Sequence, residues 1–442
     1  MILTPKILSP GCHLNPAHWS RAGWLVLLAA FSILEPGCGQ RQLIQTPNLF
    51  LDRRFDPFIA CPAEARNNRV EILYATDRLP VERKGGGQEY GYLRSRSLAF
   101  GRCVVEIGEN LPWPVVEENS RLAKRNVSMP LTVQSIREIG RFPDTPFPFI
   151  RRGEAFEDDP AVAARNEQAS QAFRSEVSRR LSGTACKEAF VFVHGYNNTF
   201  EDSVYVMADL WHFLGRKGLP VVYSWPAGRG SLRGYNYDRE SGEFTFLHLK
   251  QFIQLLASCP DIEKIHFLAH SRGTDVLTSA LREVILEARS AGENPEEALK
   301  ISDLTLAAPD FDIEVFTQRM LGDRLGYEVG EMTIYVSEED RALGLSTWLF
   351  RGIKRVGKVT FGELPPDLKR RLGQNSSAAM IDARGSPGFV GHSYFYSDPA
   401  VSSDLILLMG YGRKPGAENG RPLIPVGPNF WRIEKGYPLS RN

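Results

Sequence analysis

One serine has the surroundings that nucleophilic catalysis requires. Ser271 lies in the run Ala269-His270-Ser271-Arg272-Gly273, between an apolar segment and an amphipathic one. A strand that turns sharply into a helix exposes such a serine above a sheet. The tight turn requires a small residue two positions before the serine and another two positions after it. Gly273 meets this requirement, and Ala269 replaces the more usual glycine. The pattern predicts a nucleophile elbow with Ser271 as the attacking group.

The same run also fits a simpler interpretation. A serine at the start of a helix is a common N-cap, whose hydroxyl accepts a hydrogen bond from a backbone N–H of the first turn. Taken alone, Ser271 leaves both interpretations open, so the choice depends on other features of the chain.

A second segment could stabilise the charge that develops during acyl transfer. His194-Gly195-Tyr196 follows the apolar run Phe190–Val193, and a glycine there lets the loop turn its backbone N–H groups inward. We predict that the backbone N–H groups of Tyr196 and Arg272 form an oxyanion hole. We expect His194 to pack against this loop and orient it rather than act as a base.

The general base follows from chain order. In this type of fold the partners of the nucleophile come in the order acid, then histidine. The chain has eight histidines, and only His392 follows Ser271. If the elbow is real, His392 is the base, although alone it would be taken for a surface histidine in a turn. His270 adjoins Ser271 and is expected to play a supporting role.

The acid should follow a strand between the serine and the histidine. Asp340 ends the sequence SEED after an apolar run, and we predict that its carboxylate orients His392. Asp310 is the second candidate and Glu339 the third. Asp310 could equally cap a helix that starts near residue 313.

These residues need a scaffold that brings distant loops together. From residue 188 onward, apolar runs alternate with amphipathic ones, which is typical of a doubly wound, mostly parallel sheet of the α/β class with flanking helices. The segment 188–197 is predicted as a strand that ends in a loop, and 264–273 as a strand that runs straight into a helix. Further strands are predicted over 219–227, 303–310, 332–340 and 379–383. The predicted helices cover about 199–217, 245–258 and 272 onward, and 228–246 is predicted as a loop.

Composition and the pattern of apolar residues divide the rest of the chain into segments. Residues 1–38 are predicted to be a leader and 39–68 an irregular leader, followed by a hydrolase-type domain over 69–415 and a C-terminal tail over 416–442. Within the domain, 70–75 and 103–107 predict paired strands. Residues 110–187 form a peripheral, insertion-like region with a strand near 131–137 and a helix over about 160–181.

The leader resembles a signal peptide. Lys6 and Arg21 precede the apolar run Trp24–Leu34, which is shorter than the roughly 20 residues that a membrane-spanning helix needs. Cys38 follows in a Gly-Cys pair of the kind at which bacterial lipoproteins are cleaved and acylated, although Glu35 and Pro36 depart from the preferred residues. We expect an exported protein of the cell envelope or periplasm, with acylated Cys38 as a membrane tether.

Composition excludes other classes of function. The 442 residues carry 53 basic and 52 acidic side chains, so no overall charge favours nucleic acid. The six cysteines form no CxxC pair, and the chain lacks HExxH, GxGxxG and P-loop patterns. We therefore expect no metal and no cofactor.

Several phrases of the chain together resemble a known family. They are YATDR (74–78), FVHGYN (192–197), SWPAG (224–228), YDRE (237–240), LAHSRG (268–273), AAPD (307–310), YVSEEDRAL (335–343) and GHSYF (391–395). The chain is similar over about 69–400 to a bacterial family of α/β-hydrolase-fold proteins of unknown function, some of which are lipoproteins. The resemblance implies esterase- or lipase-like chemistry at Ser271, Asp340 and His392. Arg272 departs from the smaller or apolar residue of many relatives.

The sequence thus predicts a serine hydrolase that cleaves small-molecule or lipid esters through an acyl-enzyme. Two alternatives stay open: a non-catalytic envelope lipoprotein that uses the fold as a binding scaffold, and an acyltransferase with the same triad. The segments 228–246 and 344–374 could form walls or a lid over the site, or be ordinary surface structure.

Overall fold

The structure is a computed structural model that describes residues 40–52, 55–82, 87–344, 354–384 and 391–439. The predicted signal peptide and Cys38 lie outside these ranges. Within them, no helix is both long enough and apolar enough to cross a membrane.

One large sheet organises the described chain. Eleven strands lie side by side in the order β12-β13-β11-β10-β9-β8-β6-β7-β1-β2-β3. Their bounds, together with those of the separate hairpin β4–β5, are β1 Arg69–Glu82, β2 Gln88–Ile107, β3 Leu131–Arg141, β4 Phe149–Arg152, β5 Ala155–Asp158, β6 Glu188–Val193, β7 Leu219–Ser224, β8 Lys264–His270, β9 Ile301–Ala307, β10 Glu331–Val336, β11 Ala378–Asp382, β12 Ile424–Gly427 and β13 Phe430–Arg432.

The centre of the sheet is parallel and its edges are antiparallel. Every neighbouring pair from β13 to β1 runs in parallel. The strands β1, β2 and β3 form an antiparallel meander at one edge, and β12 pairs antiparallel with β13 at the other. The predicted pairing of 70–75 with 103–107 is confirmed, although both strands are longer than predicted.

Helices cover both faces of the sheet. They are α1 Trp113–Asn119, α2 Pro160–Leu181, α3 Phe200–Phe213, α4 Ser231–Ala257, α5 Arg272–Ser290, α6 Pro295–Leu299, α7 Ile313–Thr317, α8 Pro366–Gln374, α9 Tyr394–Ser397 and α10 Pro399–Met409. Side chains of α2, α4 and α5 pack in the core on one face, and those of α3 and α10 pack on the other.

The strand β6 shows why both faces must be covered. Val191 and Val193 point into one core, whereas Phe190 and Phe192 point into the other, because successive strand side chains alternate between faces. A strand that is apolar on both sides is typical of a parallel sheet between two helical layers. The predicted fold class, a doubly wound α/β-hydrolase fold, is confirmed.

One predicted loop is wrong. Residues 231–246 form the first half of α4 rather than a loop, so the helix starts well before residue 245. Glycine and tyrosine disfavour helices in isolation, but packing can override that preference. Asp238 and Ser241 are buried, and a Cβ at Gly242 would lie only 3.2 Å from Val276 of α5, so the glycine permits close packing of the two helices.

Segments outside the predicted domain also contribute to the core. Residues 41–442 form one compact unit. Leu49 and Phe50, from the predicted irregular leader, are buried. The strand β13, from the predicted C-terminal tail, pairs in parallel with β11. Phe173, from the predicted peripheral region, is buried in the core on the α2 face.

Candidate active site

Ser271 occupies a strained turn between β8 and α5. Its backbone has φ 54° and ψ −126°, a combination that non-glycine residues rarely adopt. Its N–H donates to the carbonyl of Ala307 on the neighbouring strand β9, at 2.9 Å, which holds the turn against the sheet. Within the described chain, the Ser271 hydroxyl makes no capping hydrogen bond. The helix-cap interpretation therefore does not hold, and the backbone has the geometry of a nucleophile elbow.

Two glycines allow the loops to approach this turn. A Cβ at position 273 would lie 2.2 Å from the carbonyl oxygen of His194, and one at position 195 would lie 2.7 Å from Cβ of Ser271. Both distances are too short for any side chain. Gly273 brings the start of α5 against the end of β6, and Gly195 brings the following loop against Ser271.

His392 and Asp340 form a close pair on the same edge of the sheet. His392 Nδ1 lies 2.7 Å from Asp340 Oδ2, and the other carboxylate oxygen accepts the N–H of Leu343 at 2.9 Å. Asp340 is fully buried. Because a carboxylate only accepts hydrogen bonds, Nδ1 carries the proton and Nε2 of the neutral ring is left as the basic nitrogen.

Charge around His392 favours its protonated form. Burial alone would lower the pKa of His392, but the charge of Asp340 and its hydrogen bond, together with the charge of Asp310, outweigh burial and raise the pKa above the usual imidazole value. A base with a raised pKa accepts a proton more readily.

The second candidate acid, Asp310, has different partners. Arg355 Nε lies 3.5 Å from Asp310 Oδ1, and the Tyr235 hydroxyl donates to Oδ2 at 3.4 Å. The backbone N–H of Asp310 donates to the carbonyl of Ser271 at 3.3 Å, so this residue adjoins the elbow. The cap of the helix near residue 313 is Asp312 rather than Asp310.

His270 connects the elbow to the loop that carries His392. Its Nε2 lies 2.9 Å from the carbonyl oxygen of His392, and the two ring centres are 4.6 Å apart. Burial, reinforced by the nearby His392, lowers the pKa of His270 well below the usual value, so the ring is neutral. A neutral His270 donates from Nε2 and fixes the backbone beside His392.

No hydrogen bond among the described residues joins the Ser271 hydroxyl to the His392 ring. Catalytic hydrogen bonds are often long in proteins without substrate and tighten when substrate binds. What the structure brings together is the Asp340–His392 pair and, through His270, the elbow beside it. Glu339, the third candidate acid, has no role in this pair.

A buried arginine holds the loop after β6. Arg78 Nη2 donates to the Asn198 carbonyl at 2.8 Å and to His194 Nε2 at 3.1 Å, and Nη1 donates to the Ala227 carbonyl at 2.7 Å. Burial lowers the pKa of Arg78 to about 10, against the opposing charges of Asp238 and Asp77, so the guanidinium stays charged. One side chain thus ties the loop after β6 to the loop after β7.

His194 is part of this support. Burial and the adjacent Arg78 lower the pKa of His194 well below its usual value, so the ring is neutral. Its Nε2 accepts from Arg78 and its Nδ1 donates to the carbonyl of Gly195 at 2.9 Å. The ring also stacks on Trp225, whose Nε1 donates to the His194 carbonyl at 2.7 Å.

A buried aspartate supports the same loop from α4. Asp238 Oδ2 accepts the N–H of Asn197 at 2.9 Å and of Gly228 at 3.3 Å. Burial raises the pKa of this carboxyl, although these hydrogen bonds and Arg78 oppose the shift. Asp238 and Arg78 come from the phrases YDRE and YATDR. The sequence pattern predicts a role for neither residue, because a contact that holds a loop from across the sheet leaves no local signal in the sequence.

The two predicted oxyanion donors come from segments that adjoin the elbow: Arg272 follows Ser271, and Tyr196 follows Gly195, whose loop packs against Ser271. Arg272 is the first residue of α5, where a backbone N–H has no acceptor within the helix. Tyr196 follows Gly195, and its ring centre lies 5.1 Å from that of Tyr235. The Arg272 side chain is held by Asp275, with Nη1 to Oδ2 at 2.8 Å.

Comparison with known proteins identifies the family of this chain. Residues 169–409, more than half of its length, match the model of a family described as "Alpha/beta hydrolase of unknown function (DUF900)". The chain belongs to this family. The match spans Ser271, Asp310, Asp340 and His392, but ends before β12 and β13.

Solved structures are similar to this DUF900 protein only at a distance. A predicted CIB-like hydrolase from Thermoplasma acidophilum is 15% identical with a TM-score of 0.31, over 52% of this chain and 86% of that one. A Pyrobaculum calidifontis esterase is 12% identical with a TM-score of 0.25, over 52% of this chain and 78% of that one. No curated protein matches the chain.

Two further observations concern residues around the site. Cys61, Cys103, Cys186 and Cys259, the cysteines within the described ranges, are free thiols. The segment 344–374, for which a wall or lid and ordinary surface structure were both open, falls partly outside those ranges. Its described part carries Arg355, which approaches Asp310 beside the elbow.

Proposed function

We propose that this DUF900 protein is a serine hydrolase that cleaves carboxylic esters, including lipid esters, through an acyl-enzyme. The observation that carries the proposal is the strained backbone of Ser271 at the start of α5, on the sheet edge where Asp340 pairs with His392. A serine held in this way needs a base with an orienting carboxylate to become a nucleophile.

The proposed reaction has two halves, formation of the acyl-enzyme and its hydrolysis, and His392 transfers protons in both. His392 Nε2 takes the Ser271 proton while Oγ attacks the acyl carbonyl, and Asp340 stabilises the imidazolium. The N–H groups of Tyr196 and Arg272 bind the oxyanion, helped by the positive end of α5. The imidazolium then protonates the leaving alcohol, and water, activated by the same histidine, releases the acid and regenerates Ser271.

The rigid support of the loop after β6 favours this assignment. An oxyanion hole stabilises a transition state only if its donors are fixed in advance. Arg78, Trp225 and Asp238, whose side chains are buried, all hold that loop through hydrogen bonds.

Turnover of p-nitrophenyl esters of increasing acyl length tests the proposal. Ser271→Ala should abolish turnover above the uncatalysed rate, whereas Ser279→Ala, a matched change on the buried side of the same helix, should not. Unchanged turnover in Ser271→Ala would contradict the proposal.

Export and lipid anchoring are part of the same proposal, and they depend on residues outside the described ranges. We propose that the protein is exported and that acylated Cys38 tethers it to a membrane close to lipid substrates. Expression with labelled palmitate in a bacterial host should label the full chain but not Cys38→Ser, and equal labelling of both would exclude this anchor.

A further inference from the structure

The first half of α4 lies beside the elbow and the loop after β6. Asp238 accepts the N–H of Asn197 in that loop at 2.9 Å, and Glu243 Oε1 lies 3.9 Å from Nη2 of Arg272, the first residue of α5. Tyr235 is three residues before Asp238, so the two side chains lie on the same face of the helix. The face of α4 that carries Tyr235 is therefore turned toward the candidate active site.

Tyr235 contacts both of the loops that border Ser271. Its ring centre lies 5.1 Å from that of Tyr196, in the loop after β6, and its hydroxyl donates to Asp310 Oδ2 at 3.4 Å, in the loop after β9. Both loops touch the elbow: a Cβ at Gly195 would lie 2.7 Å from Cβ of Ser271, and the N–H of Asp310 donates to the Ser271 carbonyl at 3.3 Å. The Tyr235 side chain thus spans the gap between these loops, next to Ser271.

The surface that Tyr235 and Tyr196 form is largely apolar. Both tyrosines are half-buried, and an aromatic ring offers a large apolar area. Burial, helped by the charge of Asp238, raises the pKa of Tyr196 to about 12, so its hydroxyl is neutral. The carboxylate of Asp310 faces the guanidinium of Arg355, with Nε 3.5 Å from Oδ1, so these two charges balance. Such a surface suits an apolar group of a ligand.

A substrate has little free space around the nucleophile. Only 3% of Ser271 is exposed. The carbonyl carbon of an ester must come within about 3–3.5 Å of Oγ before attack, which places its acyl and alcohol groups over the residues around the serine. Because Tyr235 joins the two loops beside Ser271, one of these groups has to lie against its ring.

We propose that Tyr235 determines substrate size: its ring limits the length of the apolar group, acyl or alcohol, that fits beside Ser271. This role rests on the proposed serine hydrolase activity, in which Tyr235 contacts the substrate and transfers no proton. The substrate is then an ester with an uncharged, apolar group on the Tyr235 side.

Two pairs of esters test this role. The acetate and octanoate of p-nitrophenol differ only in the acyl group, and ethyl and octyl acetate differ only in the alcohol. For each pair, kcat/KM of the long and the short ester is measured on one preparation, so that any inactive fraction of the protein cancels. Tyr235→Ala should raise the long-to-short ratio at least about tenfold in one pair, because loss of the ring makes room for several methylene groups. The pair that responds shows which group lies against Tyr235.

Three further variants separate the ring from other effects. Tyr237→Ala makes the same change two residues later in α4, where the hydroxyl donates to the Tyr92 carbonyl at 3.1 Å, and it should leave both ratios unchanged. Tyr235→Phe keeps the ring but loses the hydrogen bond to Asp310, and it should change the ratios less than about threefold. Tyr235→Trp enlarges the ring and should lower one ratio several-fold, which tests the role independently if Tyr235→Ala does not fold.

The outcomes distinguish this role from the proposed function. Ester turnover that Ser271→Ala abolishes, with both ratios unchanged in Tyr235→Ala and Tyr235→Trp, would overturn the role of Tyr235 and leave the proposed function in place. An equal rise in Tyr237→Ala would also overturn this role, since the effect would not be local to Tyr235. Absence of turnover of any of these esters by the folded wild type would contradict the proposed function and the role of Tyr235 together.

Discussion

Asp340 and His392 are 52 residues apart in the chain, yet their side chains meet at 2.7 Å. Asp340 follows β10, and His392 precedes the short helix α9. The fold brings them together because β10 and β11 are parallel neighbours whose carboxyl ends share one edge of the sheet. Ser271 follows β8 at that same edge.

The pairing predicts that the two candidate acids differ in importance. Asp340→Asn replaces a carboxylate that only accepts with an amide that can also donate to Nδ1, so the His392 tautomer is no longer fixed and kcat for a p-nitrophenyl ester should fall about 10³- to 10⁴-fold. Asp310→Asn keeps the pair intact and should lower kcat less than about tenfold. The comparison uses both variants at equal substrate saturation, and a larger loss in Asp310→Asn would reverse the assignment.

The pH dependence of activity should follow the raised pKa of His392. The base works only when neutral, so activity should fall as the pH drops through this pKa, and the acidic limb should lie above the usual imidazole value of about 6.5. Asp310→Asn removes one of the negative charges that raise this pKa, so its limb should move to lower pH. Profiles of kcat/KM measure both shifts, and an unmoved limb in Asp310→Asn would show that Asp310 has no electrostatic influence on the base.

Chain order and elbow spacing were enough to select the candidate groups. His392 followed from being the only histidine after Ser271, and Asp340 from its position after a strand between them. The alternating apolar runs predicted the parallel sheet, because strands buried on both faces have a continuous apolar pattern.

What the sequence could not predict depends on contacts between distant segments. The start of α4 is stabilised by packing that overrides its glycines, and β13 joins the sheet only because β11 offers an open edge. Arg78 has no local signal for its role, since all its acceptors lie more than ten residues away in the chain.

Arg78 should be essential for the loop that it holds. Arg78→Met removes the hydrogen bonds that this buried side chain donates to the carbonyls of Gly91, Ala227 and Asn198, and should lower the free energy of unfolding by about 3 kcal/mol or more. Arg152→Met removes an arginine whose ion pair with Glu157 is largely exposed, and should cost less than about 1 kcal/mol. Urea unfolding measures the free energy of unfolding of both variants. Similar decreases in the two would contradict the role of Arg78 in holding the loop after β6.

Gly273 should tolerate no side chain. In Gly273→Ala the new methyl group would clash with backbone oxygens of His194 and Val193. We therefore expect the free energy of unfolding to fall by about 1–3 kcal/mol or more, or the elbow to be displaced. Gly362→Ala is the matched control, since the nearest atom to its Cβ would be 3.8 Å away. Thermal unfolding and ester turnover report the two effects, and wild-type behaviour of Gly273→Ala would show that the close approach is not required.

Labelling by a fluorophosphonate probe tests the central claim most directly, because the probe reacts with activated serines and needs no knowledge of the natural substrate. We predict that the folded protein is labelled once, that peptide mass spectrometry places the label on Ser271, and that Ser271→Ala is not labelled. His392→Ala should react far more slowly, since the serine loses its base. A correctly folded wild type that stays unlabelled, or a Ser271→Ala variant that labels as the wild type does, would contradict the assignment of a serine hydrolase.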